Sequence, residues 1–260
     1  NLPITLIMAD VNGLKLINDS FGHSTGDRML QKISMLLKKA CRADDILSRV
    51  GGDEFVVLLP QTNAEETGQI IHRMQQLLST EKINDLDLSV SFGYQSKVSP
   101  EEDIHEILKK AEEVMLTKKL NESPFMKNRS VNVILDSLYG NFEGEEKHSK
   151  RVANISRLVG IKLGLNAEEL EDLEKAALLH DIGKIAIDKN ILRKTGPLTT
   201  EERDEVRRHP EIGFRILATV PSLAKFAEYV LYHHEWWNGS GYPKGLRGEQ
   251  IPLKARIISA

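Results

Sequence analysis

A chain of 260 residues with 40% hydrophobic content is long enough to bury two cores without staples, and its length favours two domains over one. A net charge of −3 excludes a general binder of nucleic-acid polymers, and the single cysteine, Cys41, excludes an intrachain disulfide framework and suits the cytoplasm as a buried thiol. No apolar run approaches the ~18 residues of a membrane span and no signal peptide is visible, so this segment is expected to make no membrane contact.

The chain opens on the strand-like Ile4-Thr5-Leu6-Ile7-Met8 and stops in the apolar Ile257-Ile258-Ser259-Ala260, with no cap or polar tail, as a piece of a longer protein would. Its first half alternates short apolar runs, over 6–9, 46–50, 55–59 and 88–92, with amphipathic helical patterns over 26–40 and 64–78, which is how an α/β unit reads. Asp10 ends the first strand, and Gly51-Gly52-Asp53-Glu54 makes a glycine turn between two strands. Such a turn lets backbone approach a phosphate while the adjoining carboxylates hold Mg²⁺ against it. Ser99-Pro100-Glu101-Glu102 combines a capping serine, proline at the first helical position and glutamate three residues after the cap, predicting a helix from there to Lys119. Asn121-Glu122-Ser123-Pro124 interrupts it and predicts a linker, 120–126, between domains 1–119 and 127–260.

Strand signals vanish beyond the linker. Asn166-Ala167-Glu168-Glu169 and Thr199-Thr200-Glu201-Glu202 read as capping boxes, with Gly164 and Gly196 as stops or turns before them, so this half is expected to be all-α. It carries two histidine signatures, His180-Asp181-Ile182-Gly183-Lys184 and His233-His234-Glu235, the second followed by Gly239-Ser240-Gly241-Tyr242-Pro243. Clustered imidazoles and carboxylates are costly unless they bind something, and a histidine on one divalent ion with a neighbouring aspartate bridging to a second is hydrolase chemistry.

The run from Asp10-Val11-Asn12-Gly13 through Asn18-Asp19, Phe21-Gly22-His23 and Gly26-Asp27 to Gly51-Gly52-Asp53-Glu54-Phe55 resembles the GGDEF diguanylate cyclases over residues 1–119. The resemblance implies an α/β (α+β) nucleotidyl-cyclase-like domain that condenses two GTP to cyclic di-GMP with Mg²⁺ or Mn²⁺, working as a homodimer. It implies metal ligands at Asp10, the Val11 carbonyl and Asp53, with Asp53 or Glu54 helping to deprotonate the attacking 3′-hydroxyl. Gly51 and Gly52 would face the nucleotide, Lys119 its triphosphate, and Asn18 and Asp27 its guanine, whose N1 and amino protons a carboxylate accepts. Arg42-Ala43-Asp44-Asp45 matches the family's product-inhibition site through Arg42 and Asp45. Ser123 stands where the family carries a second triphosphate-clamping cation, with Lys127 and Arg129 nearby, and Asn12 replaces a common aspartate.

The second half resembles the HD-GYP phosphodiesterases, which implies an all-α metal-dependent phosphohydrolase domain whose last ligand and a basic segment lie beyond Ala260. The implied ligands are His148, His180, Asp181, His209, His233 and His234, holding two divalent ions, with Fe or Mn favoured. Gly144 stands where some relatives place a glutamate for a third. Lys184 would act beside Asp181 on the phosphate, and Gly241, Tyr242 and Pro243 would form the substrate loop. Trp236 and Trp237 are expected to pack under that loop, and His23, His72 and His105 to do no chemistry, the last two on helix surfaces.

Together the resemblances imply a cytoplasmic protein of cyclic di-GMP turnover, making the dinucleotide upstream and cutting it to pGpG or GMP downstream, with a sensor or membrane domain ahead of it in the parent protein. Two alternatives stand beside this. The upstream domain is a weakly active GTP- or product-binding regulator, or the whole protein is a cyclic di-GMP receptor.

Overall fold

The computed structural model describes residues 2–142 and 144–260, the side chains of 122–127 excepted, so Ser123 and Lys127 as clamp residues lie outside the described side chains. The chain divides, in the main between Ser130 and Val131, into two compact units.

The first unit runs β1 (Ile4–Val11), α1 (Leu14–Phe21), α2 (His23–Ala40), β2 (Ile46–Arg49), β3 (Glu54–Pro60), α3 (Ala64–Ser79), β4 (Lys82–Ile83), β5 (Leu86–Asp87), β6 (Val90–Lys97) and the start of α4 (Ile104–Asn141). Its four-stranded sheet has the order β2-β3-β1-β6 with every neighbouring pair antiparallel, so the unit is α+β. β1, flanked on both sides and covered on both faces, is buried from Thr5 to Val11, which is why its sequence reads as one apolar run. β3 buries alternate residues, Phe55, Val57 and Leu59, at the two-residue period of a strand. The register sets Asp10 opposite Glu54 and so delivers the end of β1 to the glycine turn.

Several boundaries differ from the sequence reading. The strand expected over 88–92 is β6, which starts at Val90 and continues to Lys97 because it pairs with β1 along its whole length, polar residues included. The helix expected from Ser99 starts at Ile104. Glu102 accepts the Val98 and Ser99 amides at 2.7 and 2.8 Å, closing a turn, and the Asp103 side chain then accepts the His105 amide at 3.0 Å, taking the capping place. α4 is not interrupted at Asn121–Pro124, so the expected linker 120–126 has helical backbone. An interior proline removes one N–H and costs about 3 kcal/mol. The flanks offset this, with Ile107, Ala111 and Met115 buried before it and Val131, Ile134 and Leu138 after it. α1 was not anticipated, and Cys41 is half-buried rather than buried.

The second unit continues with α5 (Glu145–Lys162), α6 (Ala167–Leu179), a 3₁₀ turn (Ile182–Ala186), α7 (Lys189–Leu192), α8 (Thr200–Val206), α9 (His209–Ala218), α10 (Ala227–Tyr232) and α11 (Leu253–Ser259). The capping boxes at Asn166 and Thr199 form with both reciprocal hydrogen bonds. Leu173, Ala176 and Ala177 of α6, Ile216 and Leu217 of α9 and Val230 of α10 are fully buried and supply the core on which the polar cluster rests. Among the described residues no helix is long and apolar enough to cross a membrane.

Candidate functional site

In the second unit His180, His209 and His233 stand just past the ends of α6, α8 and α10. The last carbonyls of a helix lack intrahelical partners, and here imidazoles take them: Nδ1 of His180, His209 and His233 lies 2.7, 2.7 and 2.6 Å from the carbonyls of Ala177, Val206 and Val230, each three residues earlier. A ring whose Nδ1–H donates to a carbonyl presents an Nε2 lone pair, the form that binds metal. Nε2 of His209 and Nε2 of His233 face each other at 3.3 Å, as do those of His148 and His180. At that distance either one nitrogen of each pair carries a proton toward the other or a cation lies against both.

Asp181, buried at 3% exposure, supplies one oxygen to each set. Its Oδ2 lies 3.0 Å from His180 Nε2 and 3.5 Å from His148 Nε2, and its Oδ1 lies 3.3 Å from His209 Nε2 and 4.0 Å from His233 Nε2. The ligand atoms of Asp181, His209, His233 and His234 lie within 4.8 Å of one another, and so do those of His148, His180 and Asp181. Mixed imidazole and carboxylate donors fit divalent transition metals.

Burial and the neighbouring imidazoles push His233 well below the usual histidine range and His234 down to about 4, so both rings are neutral at pH 7 and able to ligate. Burial works against a charge on Asp181, but His180, His148 and His209 outweigh it and hold the carboxyl well below the usual range.

Lys184 follows Asp181 by one 3₁₀ turn, rather than His180 by one α-helical turn, and its Nζ lies 2.9 Å from Asp181 Oδ2 and 3.0 Å from Glu145 Oε1. Burial disfavours the ammonium, yet the two carboxylates raise its pKa above the ordinary value. Glu145 had no role in the sequence reading. The available signal was its place one turn before His148 on α5, a spacing that puts both on one face.

The Gly241–Pro243 segment lies over His234, with the Tyr242 ring stacked on that imidazole at 4.8 Å and 20° between planes, and the Arg207 guanidinium 5.3 Å from the tyrosine centroid. Burial pushes the Tyr242 hydroxyl up to about 12, keeping it a hydrogen-bond donor. Trp236 and Trp237 do not pack under the loop: they are 55% and 60% exposed, and Arg256 sits over Trp237. Gly241 packs directly on the Glu235 and Trp236 backbone and leaves no room for an indole beneath.

In the first unit the β1–β3 register gathers Asp10, Val11, Asp53 and Glu54, with the Val11 amide donating to the Asp53 carbonyl at 2.9 Å. Arg49 donates to the Gly51 and Gly52 carbonyls at 3.2 and 2.6 Å, holding the turn from one side. Burial, then Asp53 and Glu54, raise the Asp10 pKa despite Lys119, whose Nζ lies 2.6 Å from Asp10 Oδ2. Asp10 Oδ1 is buried without a hydrogen-bond partner, and three neighbouring carboxylates call for a cation.

Asn18 lies against Gly26, where any Cβ would run into its carboxamide, and Asp27 is exposed at a cavity of about 530 Å³ with Leu30, Arg49 and Phe55. Asn12 donates to Ser89 and Ser91 at 2.9 and 3.0 Å, bonds an aspartate could not make. Asp45 is buried and accepts the Arg42 amide at 2.6 Å, so these two residues form a turn. Arg129 pairs with Asp87 at 2.9 Å. His23, His72 and His105 are exposed.

Residues 1–123 match the family of diguanylate cyclase GGDEF domains, and residues 132–260 match an HD domain family. A cyclic di-GMP phosphodiesterase response regulator of Xanthomonas campestris pv. campestris is 44% identical over 118 residues, which are 45% of this chain and 31% of that protein. The 3′3′-cGAMP-specific phosphodiesterase 2 of Vibrio cholerae is 39% identical over 116 residues, 43% of this chain and 22% of that protein. The chain thus spans about a third or less of these relatives. Among solved structures, diguanylate cyclase SiaD of Pseudomonas aeruginosa, in complex with its activator SiaC, is 29% identical, with a TM-score of 0.44 and coverage of 46% of this chain and 47% of that one.

Proposed function

Because the chain joins a GGDEF diguanylate cyclase domain to an HD domain, we propose that it turns over cyclic di-GMP, with the HD domain hydrolysing the cyclic dinucleotide to pGpG or GMP and the GGDEF domain condensing two GTP into it. One observation carries the hydrolytic half: the two oxygens of Asp181 address two separate histidine sets, the arrangement of a carboxylate shared by two metal ions. Asp181 Oδ1 with His209, His233 and His234 would hold one ion, and Asp181 Oδ2 with His148 and His180 the other, Fe or Mn by donor type. Bound there, divalent ions supply Lewis acidity toward a phosphodiester oxygen and lower the pKa of water.

The chain's own groups do the rest. Lys184, kept cationic by Asp181 and Glu145, adds positive charge where the phosphate gains negative charge. The Tyr242 hydroxyl, held protonated, offers a donor at the mouth of the site. Carbonyl-bound Nδ1 atoms keep three rings aimed, so little reorganisation precedes reaction.

Upstream, Asp10, the Val11 carbonyl and Asp53 would hold Mg²⁺ or Mn²⁺ with GTP, Asp53 or Glu54 would assist the 3′-hydroxyl, and Asn18 and Asp27 would read guanine. Arg42 and Asp45 would bind product. Joining two GTP requires two such domains, so the working form is a homodimer, in the cytoplasm where GTP is found. Domain limits of 1–119 and 127–260 go with this reading.

The test is to load the full-length protein with Fe²⁺ or Mn²⁺ without oxygen, add cyclic di-GMP or 3′3′-cGAMP, and separate products by chromatography. Linear pGpG or GMP from cyclic di-GMP, lost in Asp181→Ala, is the expected result. Cleavage of 3′3′-cGAMP alone would change the substrate, and binding without cleavage would make the protein a receptor.

A further inference from the structure

Glu235 completes the second histidine signature, yet the hydrolytic site gives it no task. It is 2% exposed, and burial of a carboxylate is costly unless hydrogen bonds replace water. Here three do. Oε1 accepts the Lys244 amide at 2.6 Å and the Gly245 amide at 3.1 Å, and Oε2 accepts the Leu246 amide at 2.9 Å. Charge-assisted bonds of this kind are the stronger class, and three consecutive amides on one carboxylate fix the backbone that follows Pro243.

The other side of the loop is tied to the same stretch of chain. The Tyr242 amide donates to the His234 carbonyl at 3.1 Å and the Gly239 amide to the Trp236 carbonyl at 2.8 Å. A Cβ on Gly241 would lie 2.5 Å from both Glu235 Cα and the His234 carbonyl oxygen, so only glycine allows the loop to lie this close. Tyr242 therefore sits between two anchors, its own amide on His234 and the Glu235 clamp just beyond Pro243, and its ring is seated on the His234 imidazole.

We propose that Glu235 is the positioning residue of the Gly241–Pro243 loop, its carboxylate clamping residues 244–246 so that Tyr242 holds the His234 ring in its ligating orientation. The proposal rests on reading His234 as part of the hydrolytic centre. Glu235→Gln puts an amide NH₂ in front of at least one backbone N–H and opposes two donors. Supporting groups of this kind typically change metal affinity or activity by roughly 10–100-fold, and the expected loss of kcat/KM lies in that range.

Hydrogen exchange of the metal-free full-length protein tests the clamp without reference to activity. The amides of 244–246 are expected to be protected in the wild type, still protected in Glu235→Asp, and to exchange at least about tenfold faster in Glu235→Gln while α6 and α9 keep their protection. Unprotected amides in the wild type overturn the proposal, even if a substituted protein fails to fold. A kinetic cycle tests the route to His234: Glu235→Gln and Tyr242→Ala together are expected to cost no more than the larger single change, whereas independent, additive losses overturn it. Protected amides in a wild type that cleaves no cyclic dinucleotide would keep the clamp and reject the hydrolase reading.

Discussion

The HD domain and the GGDEF domain assemble their candidate sites differently. In the HD domain, imidazoles from α5, the end of α6, the start of α9 and the end of α10 surround Asp181, and three of the rings are aimed by a backbone carbonyl three residues earlier. In the GGDEF domain the acidic groups come from one strand end and one turn, Asp10 is tied to Lys119, and Asp27 stands in the open. The first site is organised by buried helix ends. The second lies at the end of the central strand β1 and the β2–β3 turn, open to solvent at Asp27. The difference predicts how each domain fails when altered.

The largest effect is expected from Asp181→Ala. It removes the carboxylate that both histidine sets share, and the barrier to cyclic di-GMP hydrolysis should rise by several kcal/mol, lowering the rate roughly 1,000-fold or more. Initial rates measure it, and a loss of tenfold or less would mean that Asp181 is not shared. Next comes the double change Asp53→Asn with Glu54→Gln, which should reduce GTP condensation by about 100-fold or more while the hydrolysis rate stays within twofold. Parallel loss of both activities would break the independence of the two sites.

Gly26→Ala should act more gently. Its new Cβ displaces the Asn18 carboxamide, and KM for GTP should rise about tenfold, an overpacking cost of order 1–3 kcal/mol. An unchanged KM would remove Asn18 from guanine recognition.

The smallest effect concerns stability. Asp172 pairs with Lys225 at 2.7 Å and Lys254 at 3.3 Å, and Lys225 first, with Lys254, lowers its pKa against the opposing effect of burial. A carboxyl depressed in the folded state stabilises above its unfolded pKa, near 3.8, and that contribution is lost as pH falls through the lower folded value. Wild type should therefore lose more urea resistance than Asp172→Asn between pH 5 and pH 2. Equal losses would show the pair to be neutral.

Much of this was legible because the relevant signals are local. The strands of the sheet core and the capping boxes at Asn166 and Thr199 follow from spacing a few residues long, as do the signatures at His180-Asp181 and His233-His234, while His148 and His209 came only from the resemblance to the HD-GYP phosphodiesterases. What was misread depends on partners distant in sequence. β6 extends through polar residues because β1 pairs with it, and α4 passes Pro124 because apolar residues on both flanks are buried. Glu145 and Glu235 were unassigned because their meaning lies in Lys184 and in the amides of 244–246, and the exposed Trp236 and Trp237 were misjudged because nothing in the sequence showed Gly241 occupying the space beneath the loop.

The central claim is that Asp181 is shared between two metal positions, and anomalous diffraction from crystals of the full-length protein grown with Mn²⁺ tests it most directly. Two peaks are expected, one between Asp181 and His209, His233 and His234, the other between Asp181 and His148 and His180. A single peak touching only one histidine set would contradict it.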